Sequence, residues 1–219
     1  MAADTVEERD IVQVIRKRIA DQLIPPGSKL VESELAEEFG VSRTRVREAL
    51  TELELRGLIR REPNRGAVVA KLELHEIFAI YDVREALEGV AVRLATLNSA
   101  PESWQHWVDQ FKPRGPMQKY VDNGEIESYF AQYEKLRADI IRAAANPVLA
   151  GMLDTILEKT RVIMRRVQIL PGRVELALVE HRAVVQAMRA GDAEAAERLR
   201  RDNIRSAIAT LKRFHQFVL

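Results

Sequence analysis

Apolar residues recur at helical spacing along most of the chain, and the breaks between the helical runs are marked by proline and glycine. Residues 7 to 23 place Ile11, Val14, Ile15, Ile19 and Leu23 on one face, and "IPPGSKL" ends that helix. "VESELAEEFG" predicts a short second helix, capped by Ser33 and closed by Gly40. "VSRTRVREALTELELRG" predicts a third, with Ser42 as its cap, Val46, Leu50 and Leu53 inward, and Gly57 as its stop. "LIRREPNRGAVVAKL" then changes period and reads as strand, tight turn at Pro63-Asn64-Arg65-Gly66, strand. Three helices followed by a hairpin is the order of a winged helix-turn-helix.

From Leu74 onward the pattern is helical throughout. Six amphipathic segments follow, with breaks at Pro147 and Pro171-Gly172, and Asp192 stands as a cap for the last. The expected fold is mainly α: a winged helix-turn-helix over 1–72, then an all-α bundle of about six helices over 73–219. No segment of the second part reads as a strand.

Bulk composition narrows the function classes. Formal net charge is +1 over 219 residues, so attraction to a polyanion must come from local clusters rather than from the whole molecule. The chain has no cysteine, which excludes disulfides and thiolate metal sites and suits a reducing cytoplasm. No apolar run reaches the length of a signal peptide or the roughly 20 residues of a membrane span, so a cytoplasmic protein without membrane association is expected.

One cluster stands out. "SRTRVRE" places Arg43, Arg45 and Arg47 at the start of the third helix, with Ser42 and Thr44 between them. In a helix-turn-helix this is the segment that meets base edges in the major groove. Arg43 and Arg47 are i and i+4 and share a face, and an arginine can grip guanine through two acceptors at once. Arg45 points elsewhere, towards phosphate. The hairpin tip adds Asn64, Arg65 and Gly66, a wing suited to minor groove or backbone. An ordinary solvated basic face is the competing reading, and the cluster's position in the helix order is what speaks against it.

These residues carry a resemblance. "IPPGSKLVESELAEEFGVSRTRVREALTELELRGLIRREPNRGAVVA" resembles the DNA-binding domain of GntR-type bacterial transcription regulators, over about residues 9 to 71. "YDVREALEGVAVRLA", "ANPVL" and "EHRAVVQAMRAGDAEAAERL" resemble the FCD effector domain of the FadR subgroup. The resemblance implies a homodimer on an inverted-repeat DNA operator, modulated by a small metabolite, commonly an organic acid. The family often has proline where this chain has Arg45.

Many FCD domains hold a metal on one aspartate and three histidines. Counting along the family's motifs brings those positions to Tyr133, Arg137, His181 and Asn203, of which only His181 is a ligand type. An imidazole, a phenol, an amide and a guanidinium do not make a zinc or nickel site. No cofactor is therefore expected, unless Glu134 or Asp139 completes a site in a slipped register. In place of the metal, Arg137 is the candidate anchor for a small carboxylate or phosphate-bearing metabolite. Tyr133, His181, Asn203 and Arg84 would surround it.

The alternative is a filled pocket: Arg137 pairs with Glu180 or Asp202, His181 is a satisfied core residue, and the regulator ignores effectors. An enzyme on the helical bundle finds no nucleophile elbow, phosphate-cradling loop or carboxylate–histidine set. His75, His106 and His215 read as surface or packing residues. Trp104 and Trp107, three apart, read as core or dimer contacts, and the basic cluster Arg161, Arg165 and Arg166 as a solvated helix face.

Overall fold

A computed structural model describes residues 8–214 and 216 of the chain; His215 and the remaining C-terminal residues lie outside the described part. Two compact units are present. The first ends at Glu73 and includes Leu157–Val162; the second comprises Leu74–Ile156 and the chain from Ile163.

The first unit contains α1 (Glu8–Ala20), β1 (Lys29–Leu30), α2 (Glu32–Phe39), α3 (Arg43–Leu55), β2 (Ile59–Glu62) and β3 (Gly66–Val69). Its core is built from one face of each element: Ile11, Val12, Ile15 and Ile19 of α1, Leu35 of α2, and Val46, Ala49, Leu50 and Leu53 of α3. Val12 takes the inward position expected of Val14, which is 36% exposed, and Leu23 lies beyond the helix at 72% exposed. The buried face of α1 thus keeps Ile11, Ile15 and Ile19 as read from the sequence and differs at Val12, Val14 and Leu23.

Two local expectations needed correction. The N-cap of α2 is Val31 rather than Ser33, which lies inside the first turn, and no side chain caps that helix. The sheet has three strands in the order β1-β3-β2, all antiparallel, with Lys29 opposite Val68 and Ile59 opposite Val69. A two-residue strand directly after Pro-Pro-Gly is too short to show a period of its own. At the other predicted landmarks the structure follows the sequence. Ser42 caps α3, its Oγ accepting from the backbone N–H of Arg45 at 3.3 Å, and Gly40 closes α2 in the left-handed conformation.

The second unit is helical throughout its described residues. It contains α4 (Leu74–Leu97), a 3-10 turn at Pro101–Trp104, α5 (Gln105–Phe111), α6 (Pro116–Asp122), α7 (Ile126–Ala143), α8 (Pro147–Gln168, apart from its residues Leu157–Val162), α9 (Arg173–Arg189) and α10 (Ala193–Phe214). The segment "APESWQHWVDQF" is thus a 3-10 turn plus a short helix rather than one helix, and α6 corresponds to no segment singled out in the sequence. Trp104 and Trp107 are both buried, on successive elements, and the Trp107 indole donates to Asp139 at 3.0 Å. Asp192 caps α10, accepting from Ala195 N–H at 3.0 Å. α10 packs along α4 and α9, and Gly89 marks a close approach of α4 to α10, where an added Cβ would meet Arg201 and Glu197.

Among the described residues no helix is long and apolar enough to cross a membrane.

Candidate DNA-binding face and effector site

The turn Gly40–Ser42 delivers the start of α3 to the surface of the first unit. Arg43, Thr44, Arg45 and Arg47 are all exposed, while Val46, Ala49 and Leu50 hold the opposite face in the core. α3 has no acidic residue in its first turn, so its own sequence does not neutralise the positive end of the helix. Glu32, at the start of α2, supplies the counter-charge instead. Arg47 donates to both its carboxylate oxygens, at 2.9 and 3.2 Å. That hydrogen bond, outweighing a small burial effect, holds the Glu32 carboxyl below its ordinary pKa, with further pull from Arg61 and Arg43.

The wing between β2 and β3 is closed by a bond from Arg65 N–H to the Glu62 carbonyl at 3.2 Å. Asn64 and Gly66 both have positive φ, 64° and 77°. A Cβ at Gly66 would meet nothing, so its backbone conformation, not lack of space, calls for glycine. Arg60 and Arg65 both donate to Glu62, at 2.9 and 2.7 Å. Every predicted residue of this face is thus on the exposed recognition-helix start or the wing, and Arg47 and Arg65 rest on the half-buried carboxylates of Glu32 and Glu62. Such pairs are weak and easily exchanged for phosphate.

In the second unit the buried faces of α4, α7, α9 and α10 carry an ionic cluster. Arg84 and Arg200, both about 4% exposed, donate to the two carboxylate oxygens of Glu88. Arg200 also donates to the Tyr133 phenol oxygen at 2.5 Å and to Asn203 Oδ1 at 2.6 Å. Asn203 Nδ2 in turn donates to Glu180 at 2.6 Å, and Arg173, with a fully buried side chain, donates to the same oxygen at 2.8 Å. His181 stacks on Tyr133, ring centres 4.3 Å apart, and shares a 2.9 Å hydrogen bond with the Tyr129 phenol through Nδ1.

Two buried atoms in this network lack a hydrogen bond of ordinary geometry: His181 Nε2, although Asn203 is close enough to act on it, and Arg173 Nε. Burial would push the Glu88 carboxyl up, but Arg200, Arg84 and Arg137 overcome it and hold its pKa at about 2. Burial, then Arg200 and Arg173, push the His181 imidazole well below its ordinary pKa, so it is neutral.

Tyr133, His181, Asn203 and Arg84 therefore come together as the sequence proposed. Arg137 does not join their hydrogen bonds. It pairs with Glu134 three residues earlier, and its guanidinium carbon lies 6.0 Å from the Tyr133 ring centre. The partners weighed for it in the sequence are engaged elsewhere, Glu180 with Arg173 and Asp202 with Arg205. Arg200, Glu88, Arg173 and Tyr129 were not singled out, and Glu180 was named only as a partner for Arg137. A signal for two of them was present: Arg200 sits in the stripe Ala196–Ile204–Ala207–Leu211, and Glu88, like the predicted Arg84, in the stripe Ile77–Tyr81–Ala91–Ala95. A charge at the apolar phase of a helix is a buried charge.

Comparison with known proteins resolves what the two units are. Residues 7–69 match the family model "Bacterial regulatory proteins, gntR family", and residues 79–206 match the FCD domain. The chain belongs to the GntR family.

It is a transcriptional regulator with a GntR helix-turn-helix and an FCD domain, consistent with the FadR subgroup, and not an enzyme. A probable D-xylose utilization operon transcriptional repressor of Paenarthrobacter nicotinovorans is 29% identical over 180 residues, 82% of this chain and 77% of that protein. The HTH-type transcriptional repressor RspR of Escherichia coli K12 is 26% identical over 95% of this chain and 90% of its own. The fold is shared with the E. coli protein McbR/YncC, at a TM-score of 0.74 and 21% identity, covering 95% of this chain and 98% of that one.

The metal that many FCD domains carry does not fit this GntR regulator. Its four corresponding side chains are a phenol held by Arg200, a guanidinium paired with Glu134, a neutral imidazole and an amide between Arg200 and Glu180. Among the described residues no group of three or more His, Asp, Glu or Cys side chains is placed to hold an ion. Glu134 and Asp139, the alternatives considered from the sequence, are engaged by Arg137 and by Trp107 with Arg142. Guanidiniums at hydrogen-bonding distance repel a cation and attract an anion.

Proposed function

We propose that this GntR regulator is a cytoplasmic homodimer that binds an inverted-repeat operator, and that a small anionic metabolite in the FCD domain modulates its DNA affinity. Ser42, Arg43, Thr44, Arg45 and Arg47 of the recognition helix, with Asn64, Arg65 and Gly66 of the wing, form the DNA contact. Ser42 acts mainly as the cap that fixes the arginines' starting point. Arg84, Tyr133, His181 and Asn203 form the effector site together with Arg200 and Arg173, and Arg137 stands at its rim.

The observation that carries the effector reading is the arrangement of Arg200. It is a buried guanidinium that bridges α4, α7 and α10 through Glu88, Tyr133 and Asn203. A core needs no such cluster for packing, and replacing a whole buried ion-pair cluster by apolar residues of similar volume is usually no worse for stability. A charge placed where three helices meet can instead report an incoming anion to all three. No metal takes part in this reading. The dimer is supported by α4, where Val83, Leu87, Val90, Leu94 and Leu97 follow 4-3-4-3 spacing and Val83 and Leu97 are 50% and 61% exposed.

The test is operator binding by fluorescence anisotropy, using a duplex that the protein itself selects from a random pool. Small carboxylates and phosphates are then titrated against the complex. A shift in affinity that is lost in Arg200→Gln supports the reading. Unchanged binding across the panel supports the alternative of a filled, effector-independent site.

A further inference from the structure

The charge count of the buried cluster goes beyond the bare expectation of an anion. Four guanidiniums face this region: Arg84, Arg173 and Arg200 inside it, and Arg137 at its rim. Three carboxylates answer them. Glu88 serves both Arg84 and Arg200, Glu180 serves Arg173, and Glu134 serves Arg137. His181 is neutral, and burial raises the Tyr129 pKa so that its phenol is neutral too. The nearby ionised groups on α4 and α10 balance three against three among themselves, Arg205 with Glu85 and Asp202, and Arg201 and Arg93 with Glu197. One positive charge is left over, and it sits on the Arg84–Glu88–Arg200 bridge, where a single carboxylate is shared by two guanidiniums.

We infer that the effector of this regulator is a monoanion, with Glu88 and Glu180 acting as internal counter-anions that exclude doubly charged acids. This rests on the anion-binding reading of the same cluster. A singly charged acid brings the buried site to neutrality. A dianion leaves one uncompensated negative charge among buried groups, where it is poorly solvated and strongly penalised. Two hydrogen-bonding atoms, Arg173 Nε without a partner and His181 Nε2 with only the nearby Asn203 amide, fit the same ligand class. They offer one polar contact each beyond the ion pair, enough for a carboxylate oxygen and a neutral hydroxyl or carbonyl.

The experiment is thermal unfolding of the full chain with acids matched in length, butyrate against succinate and propionate against malonate, at neutral pH and fixed ionic strength. A ligand of the folded state raises the melting temperature by an amount that grows with the logarithm of its concentration relative to its Kd. Butyrate and propionate are expected to stabilise the wild-type protein at concentrations about tenfold or more below those at which succinate and malonate do. Glu88→Gln and Glu180→Gln each add one net positive charge, and the preference should turn towards the diacids. Glu180 is partly exposed, so its variant decides the matter if Glu88→Gln does not fold.

A wild-type preference for the diacids would overturn the monoanion assignment while leaving anion binding intact. So would an unchanged preference in every variant that folds. Stabilisation of none of the proteins by any acid would remove the anion site itself, and this inference with it.

Discussion

Arg200 on α10 donates a 2.5 Å hydrogen bond to the phenol oxygen of Tyr133 on α7, and through its other contacts ties both to Glu88 on α4. Residues 67 positions apart in the chain are thereby joined inside the FCD domain. Removing the guanidinium leaves Glu88 with Arg84 alone and leaves Tyr133 and Asn203 without a donor. Arg200→Met or Arg200→Gln should therefore cost about 3–5 kcal/mol of stability, as breaking buried ion pairs does. Arg137→Ala removes a rim pair with Glu134, which is one-third exposed, and should cost no more than about 1 kcal/mol. Urea unfolding of the two variants separates them.

His181 gives a pH signature. Its folded pKa lies below its unfolded value near 6.5, chiefly because of burial. The unfolded chain thus takes up a proton that the folded chain refuses, and stability falls as pH drops below that value, by up to about 1.4 kcal/mol per pH unit. Above it the effect is absent. Chemical denaturation across mildly acidic pH should show this slope in the wild type and a shallower one in His181→Asn.

Glu88 acts lower on the pH scale. Its folded pKa of about 2 lies below the ordinary 4.5, so its contribution is fully present above 4.5 and is lost as pH falls from there towards 2. Acid unfolding of Glu88→Gln should begin from a less stable protein and lack that component. Equal acid sensitivity of variant and wild type would contradict the ion-pair account of Glu88.

On the DNA face, Glu32 holds Arg47 in a two-point pair. Glu32→Gln should release Arg47 and strengthen operator binding several-fold at low salt, whereas Arg43→Ala should weaken specific binding far more than binding to random duplex. The logarithm of affinity should fall linearly with the logarithm of salt concentration, at about 0.9 per phosphate neutralised. Ser42→Ala removes the cap of α3 and should cost about 1 kcal/mol of stability, read by thermal unfolding.

The DNA-binding unit was legible because its signals are local. The Ser42 cap, the glycine closing α2, the inward positions of α3 and the Asn64–Gly66 turn are each decided within a few residues. Strand β1 was hidden because its only reason to be extended is its partner β3, far along the chain. The proposed effector site was half legible for the same reason. Tyr133, His181 and Asn203 could be counted out from a family pattern, but the pairing of Arg137 with Glu134 rather than with the site is a tertiary outcome. Arg200 was legible in principle, since it lies at the apolar phase of α10. Arginine is so common on solvated helix faces that the phase alone did not mark it.

The most direct test is the anisotropy titration of the selected operator duplex with wild-type protein and Arg200→Gln, in the presence and absence of butyrate. The account predicts that the acid changes wild-type affinity and leaves the variant's affinity unchanged while it still binds the duplex. An equal response of both proteins, or no response of the wild type to any acid in the panel, would contradict it.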